Sequence, residues 1–262
     1  MAKWVWLRQL GYGALSSYQD YRAMFTWRSW SCGWLLRLLC QVLFFATLGR
    51  LVGSAGAEEY MAVGNAAILA PLGALGVVSS TLGERRSGTL QFLLISRANP
   101  HLVLASRGLH WLADGVITAT IALMAVPALV DVHIAFGRLP LAFLLLLLMA
   151  SSTYQLALSL TGVSLRWPGS RTYLTAGVGI LLMLAGGVNT PTPRSGLLGA
   201  LAHLLPAVNA IPALRALLGG ESVPLGGIYL ELAVAVGWGL AAHSILTWSL
   251  RRGVDRGTID LP

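Results

Sequence analysis

The chain has 262 residues, of which 56% are hydrophobic and only 11% charged, with a formal net charge of +8. Soluble domains carry about 25% charged residues, so this composition, with a mean hydropathy of +0.71, excludes an ordinary soluble enzyme or binding module. In a soluble protein the excess of base would point to nucleic acid. In a membrane protein it is better explained by topology and by contacts with anionic headgroups, and no nucleic-acid partner is expected.

Residues 1–30 interleave Trp4, Trp6, Tyr12, Tyr18, Tyr21, Phe25, Trp27 and Trp30 with Lys3, Arg8, Arg22 and Arg28. Aromatic rings favour the headgroup level and basic residues the cytoplasmic face, so this stretch is expected to be an amphipathic helix lying along the inner surface. Its apolar run is broken by Arg8 and Gln9, so it does not read as a signal peptide. Span 1 is expected at 31–53, with Arg37 and Arg50 far enough apart to snorkel to opposite interfaces. Cys32 and Cys40 fall on this helix roughly 12 Å apart. That is beyond disulfide reach, and they read as small packing residues. Span 2, at 61–82, carries Gly64, Ala66, Ala67, Ala70, Gly73, Ala74 and Gly76. Small residues let helix backbones approach closely, so span 2 should face other helices, with Gly73 and Gly76 as packing notches.

Span 3 is expected at 108–130 and carries Asp114; the turn after it holds Asp131, His133 and Arg138. Span 4, at 139–163, contains the run Leu144–Leu148, which suits lipid. A short turn around Arg166, Pro168 and Arg171 leads to span 5 at 172–190. Residues 191–225 contain Pro191, Pro193, Pro206, Pro212 and Pro224 among apolar pieces too short to span, and are read as short helices dipping back into the outer leaflet. Span 6 at 227–250 closes the chain. The expected fold is an all-α integral membrane protein forming one transmembrane domain over 1–262. It has six transmembrane helices, an interfacial N-terminal helix, and re-entrant helices between spans 5 and 6. With both termini inside, Lys3, Arg8, Arg22, Arg28, Arg85, Arg86, Arg97, Arg107, Arg166, Arg171, Arg251, Arg252 and Arg256 fall inside, and only Arg138, Arg194 and Arg215 outside. That bias obeys the positive-inside rule.

The longest charged interruption is residues 83–100. Here Arg86, Leu90, Leu93, Leu94 and Arg97 recur at helical spacing, which gives an amphipathic helix with basic ends. Asn99-Pro100 is expected to stop it. Glu84, Gly88-Thr89-Leu90, Leu93-Leu94 and Asn99-Pro100 resemble the cytoplasmic loop of type-2 ABC transporter permeases. A second stretch, residues 204–222 with its Ala-Leu-Arg-Ala-Leu-Leu-Gly-Gly run, is similar to the outer segment of the same family. The resemblance implies the permease subunit of an ATP-driven exporter in a bacterial cytoplasmic (inner) membrane. It would pair with a second permease chain, as a homodimer, and with two copies of a separate ATPase subunit. It further implies that Glu84, Arg85, Arg86, Gly88, Thr89, Leu90, Leu93, Leu94 and Arg97 form a coupling element docking on the ATPase. The cargo would be a small amphipathic drug, antibiotic or lipid-like compound, linking the protein to antibiotic resistance.

The chain itself offers no catalytic set. Its sole lysine is Lys3, so a P-loop is missing, and ATP is expected on the partner alone. No zinc motif, serine elbow or metal constellation occurs, so neither enzyme activity nor a cofactor or metal is expected in this chain. Four ionisable groups fall at membrane depth: His110, Asp114, Glu231 and His243. Such groups are functional candidates by default, and Asp114 with His243 could serve a proton-coupled carrier. The structural reading has Asp114, His110 and Glu231 near an interface, reaching water or neighbouring arginines, and His243 in the core. A polysaccharide or lipid-linked glycan exporter of the same superfamily is the other alternative.

Overall fold

A computed structural model describes residues 2–53, 56–95, 99–130, 136–191 and 196–255. Among these the regular structure is helical throughout, with no strand. Five helical stretches are long and apolar enough to cross a membrane: Ser29–Val52, Ala57–Arg86, Pro100–Ala125, Leu139–Arg166 and Leu225–Arg252. This is an all-helical membrane protein.

Helix α1 (Ala2–Met24) is separated from the first span by a break at Phe25 and Thr26. Thr26 and Ser29 form a reciprocal cap: the Ser29 amide donates to Thr26 Oγ1 at 3.2 Å and the Thr26 amide to Ser29 Oγ at 2.9 Å. This satisfies donors that a new helix leaves open. The chain continues as a π-helical segment, Ser29–Leu35, and then α2 (Leu36–Val52). Leu38, Val42, Ala46 and Gly49 bury one stripe of α2, while Leu36, Phe44, Leu48 and Leu51 remain exposed on the opposite side. Cys32 and Cys40 are free and exposed, not packing residues, because they lie off that stripe.

The second span is two helices, α3 (Ala57–Ala74) and α4 (Val77–Arg86). Every residue from Met61 to Pro71 is buried, so α3 is the centre of the bundle, as its small residues imply. The break at Leu75 and Gly76 follows Pro71 and two glycines, all poor helix formers. At that point α7 comes so close that a Cβ on Gly73 would lie 2.5 Å from Gly115 Cα, and one on Gly76 would strike the Trp111 ring. The third span is likewise split at Gly108 into α6 (Pro100–Arg107) and α7 (Leu109–Leu129). α8 (Leu139–Arg166) packs on α3 and α4, and α12 (Leu225–Asp255) runs along α8. The leucine run in α8 is divided, with Leu144 and Leu147 exposed and Leu145 and Leu146 buried.

α9 (Arg171–Ala185) has fifteen residues, about 22 Å of helix against a hydrocarbon core of about 30 Å. It is therefore shorter than the span expected over 172–190. Its far end still reaches the first turn of α3, where Tyr60 donates to the Gly187 carbonyl at 2.7 Å. α10 (Gly196–Ala202) and α11 (Ala210–Leu218) follow. α11 is buried against α3, α8 and α12, whereas Leu197, Leu198 and Leu201 of α10 are exposed. Asp131, His133, Arg194 and Arg256 lie outside the described residues.

The Gly73–Gly115 crossing sets how closely α3 and α7 approach. Overpacking a tight contact costs about 1–3 kcal/mol. Gly73→Leu should lower thermal stability by that amount in detergent-solubilised protein, read by a fluorescence melt. Gly237→Ala, at a glycine whose Cβ would meet open space, should leave the melt unchanged.

Candidate functional site

Three clusters of polar side chains stand out, one at each end of the bundle and one between. The first is the elbow between α4 and α6. α4 continues through Glu84, Arg85 and Arg86, and a seven-residue helix, α5 (Thr89–Ile95), follows. Gly88 between them has a φ of +72°, a left-handed conformation that a side chain disfavours. Arg86 and Leu90 thus lie on separate helices instead of one amphipathic helix. Asn99-Pro100 proves to be a start signal: the Asn99 side chain accepts from the His101 amide at 3.0 Å and caps α6, with proline in its favoured first-turn place.

The elbow is braced from several sides. Glu84 pairs with Arg107 at 2.7 Å, and Arg107 reaches Asp20 of α1 at 3.4 Å. Thr89 donates to Glu84, and Arg85 donates to the Leu165 carbonyl at the end of α8. Leu90 is buried, Arg86 is exposed, and Phe92 projects with 75% of its surface exposed. Leu93 and Leu94 belong to α5, but their side chains, like Arg97 as a whole, lie outside the described part. Sequence reading passed over Phe92 because it falls off the leucine stripe. Its position two residues after a buried leucine is the signal that it faces away.

The second cluster surrounds Asp114 on α7. Its carboxylate is 4% exposed and accepts hydrogen bonds from Trp30 Nε1 at 2.7 Å, Trp34 Nε1 at 2.9 Å and Tyr21 Oη at 2.5 Å. Ser17 and His110 meet one turn below, with 2.8 Å between Ser17 Oγ and His110 Nδ1. Burial, and then the Asp114 carboxylate, push the Tyr21 phenol above its ordinary pKa, which keeps it a donor. Asp114 is therefore held by three neutral aromatic donors, with no arginine in contact among the described residues. Trp30 and Trp34 are four residues apart in the π-helical segment, where both reach α7. Only the acid was legible in the sequence; its partners, eighty or more residues away in the chain, were not.

The third cluster fixes α11. Glu231 on α12 has no exposed surface. It accepts from Ser152 Oγ and from the Ala207 amide at 2.7 Å, beside the amides of Asn209 and Ala210 at the start of α11. It is a buried cap for a helix N-terminus, where partial positive charge favours a carboxylate, and not a residue open to the outer interface. At the opposite end, Arg138 donates to the carbonyls of Leu217 at 3.1 Å and Glu221 at 3.2 Å. Between them, Arg215 donates to the carbonyls of Tyr60, Gly187 and Val188 at 3.0–3.2 Å, and its guanidinium lies 3.6 Å from the Tyr60 ring centre.

His243 is exposed, not in the core, with its ring 4.8 Å from that of His101. The structure therefore does not bring His243 and Asp114 together: one sits against α6, the other against α1 and the first span. No group of three or more potential metal ligands forms among the described residues. No known protein family matches the sequence, and no characterised protein is significantly similar to it.

Hydrogen bonds to a charged group are worth about 1.5–3 kcal/mol. Tyr21→Phe should cost that much and loosen α1, seen as faster proteolysis within residues 8–24 at unchanged cleavage elsewhere. Glu231→Leu leaves the Ala207 amide without an acceptor, at about 1–3 kcal/mol, while Ser152 can turn to the Met149 carbonyl at 3.0 Å. It should sharply reduce the folded yield, measured by monodisperse recovery in detergent.

Proposed function

We propose that this chain is the permease subunit of an ATP-driven exporter of small amphipathic compounds, and that the elbow at residues 83–100 is where a separate ATPase grips it. The observation that carries this reading is the bracing of the elbow. A short helix with an exposed Phe92 hangs between the inner ends of two spans. Its flanks are tied by Glu84–Arg107–Asp20 to α6 and α1, and by Arg85 to the end of α8. A push on such a helix is passed to several spans at once. Energy from nucleotide can shift the inward–outward balance only by as much as the grip on this element differs between states.

In this reading α9 is a sixth, short crossing. Its support is that α9 starts beside the end of α8 and finishes beside the start of α3. Both termini then face the cytoplasm, which agrees with the distribution of basic residues. α10 and α11 form the re-entrant outer segment, with α11 embedded and α10 near the surface. The chain works as a pair with two ATPase subunits, in a bacterial cytoplasmic membrane, with α1 at the lipid headgroups. The exposed Tyr12, Leu15 and Tyr18 of α1 suit that position.

The test co-expresses the chain with candidate P-loop ATPase subunits from the same genome and asks which one co-purifies with it. Phe92→Asp, and separately Leu93→Asp with Leu94→Asp, should cut stimulation of ATP hydrolysis at least tenfold and release the ATPase on purification, with membrane insertion intact. Cargo movement in vesicles that contain the chain alone and no nucleotide would overturn the proposal.

A further inference from the structure

Asp114 is where two cavities meet. The first, about 790 Å³, opens between α1 and α7 and is walled by Tyr18, Tyr21, Phe25, Trp27 and Trp30. The second, about 950 Å³, lies among α2, α3, α7 and α9 and carries Gln41, Thr118, Thr172 and Thr175. Among the described residues Asp114 alone lines both, and it is the only acid in either lining. Each cavity is large enough for a drug-sized molecule.

The carboxylate has its hydrogen bonds met by neutral groups, yet among the described residues no cation lies within ion-pair distance of it. A buried charge with only neutral partners is costly. Arg22 lines the first cavity and Arg37 the second, each with its guanidinium over a ring, 6.0 Å from the Tyr18 centre and 4.9 Å from that of Trp34. Aromatic faces attract organic cations, most strongly where water is excluded. An amphipathic cation therefore meets ring faces on its way in and an uncompensated negative charge at the end.

The geometry points to Asp114, with the aromatic walls of the cleft between α1 and α7, as a binding site for a lipophilic organic cation at the inner surface. The Tyr21–Trp30–Trp34 cluster separates this site from the inner cavity. The carboxylate supplies charge, Tyr18, Phe25 and Trp27 supply ring faces, and the threonine-lined second cavity lies beyond. This narrows the cargo class of the export reading and rests on that reading only for where the bound molecule goes next.

Binding is tested on the full chain in phosphatidylcholine nanodiscs without nucleotide or partner, by titration calorimetry against protein-free discs. Tetraphenylphosphonium and the size-matched anion tetraphenylborate are titrated separately. The cation should bind saturably and at least tenfold more tightly than the anion. Asp114→Asn should weaken cation binding at least tenfold. Trp27→Ala, at an exposed ring that makes no bond to Asp114, should weaken it at least threefold and keeps the test open if the first variant fails to fold. Equal binding of both ions, preference for the anion through Arg22 and Arg37, or unchanged affinity in a folded Asp114→Asn protein would each overturn the site. Cation binding in a chain that couples to no ATPase would leave the site standing and remove the export reading. Coupling without charge preference would do the reverse.

Discussion

One carboxylate joins the surface helix to the bundle. Asp114 accepts from Tyr21 of α1 and from Trp30 and Trp34 of the first span, so three separate elements meet on a single buried oxygen pair. In a medium without water a charged group has to find its partners inside the protein. Here those partners are aromatic, which suits a depth where rings are stable and arginine heads would reach for the interface. The position of α1 follows from this constraint more than from its own amphipathicity, since few of its side chains are buried.

The same constraint, applied at the other end, accounts for α11. A helix of nine residues inside a bundle leaves open donors at its start and open acceptors at its finish. Glu231 meets the first set and Arg138 the second, in the sense that the helix dipole favours. Arg215 then fastens the middle of the helix to the Gly187 and Val188 carbonyls just past α9 and to the Tyr60 carbonyl in the first turn of α3. Three charged residues with no visible connection in the sequence turn out to serve one short helix.

Periodicity within one element was legible in advance, and pairing between distant elements was not. The small residues of span 2 announced a central helix, and Gly73 and Gly76 announced the close crossing that Gly115 and Trp111 complete. The aromatic and basic start announced a helix separate from the first span. By contrast, the breaks at Gly76 and Gly108 come from helices pressing on each other, which no local pattern reports. The elbow was located correctly but divided wrongly, because the leucine spacing from Arg86 to Arg97 ignores the left-handed turn that Gly88 permits. Glu231 and Asp114 were visible as isolated acids. Their surroundings depend on residues far off in the chain, and among the described residues neither pairs with an arginine.

The elbow and the cleft are not independent, and the reason is α1. Neighbouring residues of that helix take part in both clusters: Asp20 reaches Arg107 at the elbow, and Tyr21 reaches Asp114 in the cleft. Arg107 in turn holds Glu84, and α6 and α7, which carry Arg107 and Asp114, are separated only by Gly108. A displacement of α5 that strained the Glu84–Arg107 pair would be felt by α1 within one residue of its bond to the carboxylate. The bond from Tyr21 is the more deeply placed of the two, while Asp20 is half-exposed and its contact longer. Two contacts of unequal burial on adjacent residues therefore make α1 the physical link between the elbow and the cleft.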